Sequence, residues 1–136
     1  MDPDTWIDEE FAYRLGLLEA DFDRYITGDK IPVGMEPYDK GDNAFMARVD
    51  PAKYGIWTIR SVAPRPGLRV FGAFIATDIF IALTVRKRAE LGGRGDRRWN
   101  TERENALAHW DRLFPETPPL TGGKLDDYFT EQAIAV

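Results

Sequence analysis

Ile56-Trp57-Thr58-Ile59-Arg60-Ser61-Val62 is followed by Ala63-Pro64-Arg65-Pro66-Gly67, then by the runs Leu68 to Ala76 and Ile79 to Val85 on either side of Thr77-Asp78. Each run is dense in β-branched and aromatic residues, which suit a pleated, half-buried surface. Proline and glycine force the chain to turn between the first two. The polar pair Thr77-Asp78 between apolar runs reads as a tight hairpin, so the three runs predict an antiparallel meander. Arg60 and Arg69 interrupt its two most apolar strands. An unpaired buried guanidinium is costly, so each must leave the core face or find a partner.

Upstream, apolar residues recur at Ile7, Phe11, Leu15, Leu18, Phe22 and Tyr25 in steps of three and four. This spacing predicts an amphipathic helix over 5–26, opened by Thr5 and stopped by Gly28. Its other face carries Asp8, Glu9, Glu19 and Asp23, which either meet solvent or cover the basic middle of the chain. Between Gly28 and Pro51 the prolines and glycines allow only short elements; Phe45, Met46 and Val49 fit either a brief strand or a turn of helix. Downstream, Ala106, Leu107, Trp110, Leu113 and Phe114 predict a helix over 100–114 ended by Pro115, and Leu125, Tyr128, Phe129 and Ile134 suggest a short closing segment within the tail 115–136. The expected fold class is α+β: a small twisted antiparallel sheet of three to four strands over 54–91, flanked by an N-terminal and a C-terminal helix, in one domain spanning 1–136.

The 136 residues suit one core, and the absence of cysteine excludes a disulfide framework, a thiolate metal site and a thiol nucleophile. No His/Asp/Glu cluster has metal-ligand spacing, so no metal or cofactor is expected. The longest apolar stretch, Val70 to Val85, falls short of the roughly 20 residues a membrane helix needs, and Met1-Asp2-Pro3-Asp4-Thr5 is acidic where a targeting signal is basic. A cytoplasmic protein without membrane contact is the expectation. The net charge of −5 is unevenly distributed: residues 1–50 hold 13 acidic against 5 basic side chains, and residues 53–103 hold 11 basic against 4 acidic. An acidic head joined to a basic middle raises the prospect of nucleic-acid contact.

The stretch Gly92-Gly93-Arg94-Gly95-Asp96-Arg97-Arg98 lacks the order of a phosphate-binding loop. Trp99 reads as a core or interface anchor, although beside Arg97 and Arg98 it would also suit a stacked base. His109, the one histidine, reads as a partly exposed helix residue, and Ser61 has no neighbouring base to activate it.

In order and spacing, Trp57-Thr58-Ile59-Arg60, Leu68-Arg69-Val70-Phe71, Ile79-Phe80-Ile81-Ala82-Leu83 and Arg86-Lys87-Arg88 resemble the RelE/ParE superfamily of small toxins, particularly its phage-related, HigB-like branch. The resemblance covers about residues 54–91. It implies a type II toxin with an antitoxin partner whose concave basic face binds RNA or the ribosome. In ribosome-dependent members that face cleaves mRNA without metal, by attack of a ribose 2′-hydroxyl on the neighbouring phosphate. Guanidinium forks suit the charge that develops on the phosphate oxygens. On this resemblance Arg69 and Arg88 are the candidate catalytic residues, and Arg60, Arg86, Lys87, Arg97 and Arg98 are candidate RNA contacts. Two lysine positions of that branch hold Ile56 and Thr58 here, and its tyrosine position falls at Gly93 and Arg94, leaving Tyr128 as the available substitute. A non-catalytic, prophage-type binding module on the same fold, engaging an acidic protein partner, stays open beside the toxin reading.

Overall fold

The structure, a computed structural model, describes residues 30–35, 44–61, 67–93, 95–130 and 133–135. Among the described residues six strands form one sheet: β1 (Ile31–Gly34), β2 (Met46–Arg48), β3 (Ile56–Arg60), β4 (Leu68–Ala76), β5 (Ile79–Lys87) and β6 (Ala133–Ala135), in the order β5-β4-β3-β2-β1-β6. Two helices follow the meander, α1 (Arg97–Leu113) and α2 (Leu125–Tyr128). The expected meander is present as β3, β4 and β5, with antiparallel pairing throughout. The expected helix over 5–26 lies outside the described residues.

The sheet is larger than three to four strands and it is mixed, because β1 pairs in parallel with both β2 and β6. Ile31-Pro32-Val33-Gly34 carries two residues that usually mark a loop. Proline is tolerated there because its carbonyl, which accepts from Phe45 N at 2.8 Å, supplies the bond to the neighbouring chain. The brief strand left open around Phe45 and Met46 is β2. β3 ends at Arg60, and Ser61 keeps contact with β4 by donating its amide to the Leu68 carbonyl at 3.2 Å while its Oγ accepts from the Leu68 amide at 2.7 Å; Val62, the expected end of the strand, lies outside the described residues. At the other end β5 runs two residues past Val85, as Arg86 and Lys87 stay in register with Arg69 and Leu68.

Alternation along the strands gives the sheet two buried faces. On one, Val33, Met46, Trp57, Ile59 and Phe74 pack with Tyr128 and Phe129 from the C-terminal segment; the Trp57 ring meets Tyr128 edge-on at 4.8 Å and Phe74 at 5.6 Å. On the other, Ile56, Phe71 and Ala73 pack with Leu91 and with Ala106 and Trp110 of α1. The helix begins three residues before the expected Asn100, because the Asp96 side chain accepts from Arg98 N at 2.9 Å and caps it. Gly72 sits where the β4–β5 register shifts, and a Cβ there would lie 2.2 Å from the Ile81 carbonyl.

The C-terminal segment is held to the β4–β5 turn by a short network. Asp78, at φ 68°, donates its amide to Tyr128 O at 2.8 Å, and its carboxylate accepts from Thr130 N and Oγ1 at 2.9 and 2.8 Å. Arg48, buried beneath, joins Met35 O and Gly122 O. Trp110→Ala empties the centre of the second face and is expected to cost about 3–5 kcal/mol of unfolding free energy in urea titrations, against less than about 0.5 for Leu113→Ala on the exposed side of the same helix. Equal losses at the two positions would contradict this packing.

Candidate nucleic-acid interface

Arg60 is the Cα partner of Arg69, and Arg69 is the Cα partner of Arg86. Directly opposed residues of antiparallel strands project to the same face about 4.5–5.5 Å apart. Three arginines therefore form a row across β3, β4 and β5, spanning roughly 10 Å at the backbone, on the face that α1 covers. The row sits at the end of the sheet from which Lys87 and Arg88 continue into the connection to α1. Like charges opposed in this way repel, so an anion placed against the row stabilises it.

One anion is built in. Glu102, on the buried side of α1, accepts from Arg86 Nε at 2.7 Å; its side chain is 4% exposed while that of Arg86 is 45% exposed. Arg69 is buried and donates from Nη1 to the Leu68 carbonyl at 3.0 Å. Arg60 and Lys87 are half-buried and likewise engaged. The Arg88 guanidinium lies over the Trp99 ring at 5.2 Å and donates to the Gly92 carbonyl, which also accepts from Trp99 Nε1 at 3.4 Å. Gly92 takes φ 71°, and a Cβ there would strike the Arg98 guanidinium and the Asp96 carboxylate, so only glycine fits this turn. Trp99 is thus an anchor: half-buried, and tilted against Phe71 at 5.9 Å.

Arg98 pairs with Asp96 through Nε to Oδ1 at 3.1 Å and Nη2 to Oδ2 at 3.0 Å. The Arg98 side chain, followed by its amide, holds the Asp96 carboxyl down at about 2, and the same contact raises the Arg98 guanidinium above its ordinary value. Arg97 is exposed, and its side chain makes no hydrogen bond or ion pair among the described residues. The structure therefore separates the basic residues into two groups. Arg69, Arg88 and Arg98 brace the scaffold, and Arg86 and Arg97 turn charge toward solvent.

The departures from the toxin pattern also have places. Ile56 and Thr58 are buried on the face beneath α1, with Ile56 in the Trp110 core. Tyr128 is buried on the opposite face, where its hydroxyl accepts from Gly122 N at 2.7 Å, so it does not join the arginine row. His109 is exposed and its Nδ1 lies 2.8 Å from Arg112 Nη2. Among the described residues, no three His, Asp or Glu side chains gather to hold a metal ion, and no helix is long and apolar enough to cross a membrane. The chain matches no protein-family model, no curated protein and no solved structure.

Glu102 is the residue that reading for cations missed. Its signal was present: Trp99, Glu102, Ala106 and Trp110 recur at three and four, which places an acid on the buried stripe of an amphipathic helix. For Asp96 the sign of the pH effect follows from its depressed value. Its carboxylate stabilises the fold in full above the ordinary 3.8, and the contribution disappears as pH falls through about 2. In urea titrations the wild type is expected to exceed Asp96→Ala by a margin that is constant above about pH 4 and narrows as pH falls toward about 2 and below; a margin as large at pH 2 as at pH 5 would contradict the assignment.

Proposed function

We propose that the protein binds single-stranded RNA through the arginine-rich end of its sheet, as a protein of the RelE/ParE toxin type. The observation that carries this reading is the register that aligns Arg60, Arg69 and Arg86, continued by Lys87 and Arg88 and flanked at the start of α1 by Arg97. A phosphodiester at the exposed end of the row matches it, because it accepts from the Arg86 guanidinium and offsets the repulsion between neighbouring arginines. The row also gives the basic middle of the chain a defined location, which the net charge of −5 conceals.

Burial of Ile56 and Thr58 under α1 favours binding over cleavage. Where ribosome-dependent relatives would offer lysines to the reacting phosphate, this sheet offers core packing. Arg69 and Arg88 then act in this proposal as the braces that keep the binding surface in shape, and contact with phosphate falls chiefly to Arg86 and Arg97.

Binding of a fluorescent single-stranded oligoribonucleotide at several salt concentrations tests the proposal. The wild type is expected to lose affinity linearly in log–log form, and Arg97→Ala to weaken binding by about tenfold at low salt and to reduce the slope by about 0.7, the contribution of one phosphate contact to a single strand. Glu104→Gln, an exposed change on α1, leaves an Arg97-type contact intact and so preserves affinity within about twofold. No RNA binding at low salt, or capture of an acidic protein that persists after ribonuclease treatment, would contradict the reading.

A further inference from the structure

We infer that Glu102 is a positioning residue for Arg86, holding that guanidinium by its Nε so that the two terminal nitrogens are presented to a phosphodiester. This inference rests on the RNA-binding reading and names the residue pair that makes its principal phosphate contact.

Three observations carry it. The Arg86–Glu102 bond uses Nε and Oε2 at 2.7 Å, and no bond from Arg86 Nη1 or Nη2 exists among the described residues, so the edge formed by the two terminal nitrogens is left for a second acceptor with two oxygens. The exposures are opposite: Glu102 is fixed inside at 4% while Arg86 keeps 45% of its side chain in solvent. Finally, Glu102 Oε1 is buried with no hydrogen-bond partner among the described residues. A buried carboxylate with an unsatisfied oxygen is poor for stability, and an apolar residue at that place would serve the fold as well or better. Its presence is accounted for by what it does to Arg86.

Holding one edge of a guanidinium in advance removes rotamer freedom that binding would otherwise have to remove, so a fork fixed in this way binds phosphate more tightly than a free cation of equal charge. A lysine in its place would bring the same charge as a point donor without the planar edge. The site is therefore a single oriented fork at the exposed end of a charged row, and its preferred ligand is a bridging phosphate in a chain that can extend along the sheet.

The test measures the same oligoribonucleotide against the full chain and two variants, with near-ultraviolet circular dichroism confirming the fold of each. Arg86→Lys keeps the charge, so it is expected to retain the salt slope while losing about tenfold in affinity. Glu102→Gln makes the site more positive, yet it is expected to bind about fivefold more weakly because the fork is no longer held. Equal or tighter binding by Glu102→Gln would overturn the inference, since that is the result for an acid that merely neutralises Arg86. Where Glu102→Gln does not fold, Arg86→Lys decides: affinity equal to wild type overturns the inference. Failure of the wild type itself to bind RNA overturns both this inference and the reading beneath it, whereas wild-type binding with unaffected variants overturns this inference alone.

Discussion

The antiparallel register of β3, β4 and β5 governs both the core and the charge of this protein. Cross-strand neighbours share a face, so the alignment that puts Ile56 opposite Ala73 and Phe71 opposite Thr84 also puts Arg60 opposite Arg69 and Arg69 opposite Arg86. A slip of one residue would turn the arginines to the opposite face and bury charge among Trp57, Ile59 and Phe74. Several local devices hold the register against such a slip: the Asp78 turn tied to Thr130, the Ser61 bond to Leu68, and the shift at Gly72 where no side chain fits.

The same register explains why the arginines divide in role. Near the middle of the sheet, charge lies under α1 and is buried or braced, as with Arg69. At the β5 edge the sheet ends, and Arg86 reaches solvent with only its Nε engaged. The connection from β5 to α1 adds a compact loop in which Arg88, Trp99 and Gly92 lock together and Asp96 caps the helix. That loop leads into the start of α1, where Arg97 is exposed. Two register shifts along β4–β5 bend the edge strand as well, a feature that natural sheets use to discourage pairing with another chain.

Much of this was legible in residues 56–88, because hairpin pairing is local and alternation fixes its faces: β4 and the Thr77-Asp78 turn fall where the pattern puts them. The strands β1 and β6 were not legible. Each is short, one contains proline, and they pair in parallel across about a hundred residues, so no local pattern records the contact. The candidate site was legible as a set of cations and not as a division of labour. Composition cannot distinguish Arg98, occupied by Asp96 two residues away, from Arg97, which faces solvent, and the partner of Arg86 is known only once α1 is packed on the sheet. The expected acidic helix over 5–26 lies outside the described residues.

Chemical-shift mapping of the full chain, labelled at nitrogen and titrated with single-stranded RNA, addresses the central claim directly because it reports where the ligand sits. The account predicts that the largest changes fall on the Arg86 Nε–H and on the backbone of residues 86–88 and 97–99, while Lys53 and Tyr54, in the turn between β2 and β3, and Arg103, which lies over the Tyr54 ring from α1, remain unmoved. Changes confined to the Tyr54 cluster, or spread evenly over every exposed lysine and arginine, would contradict it.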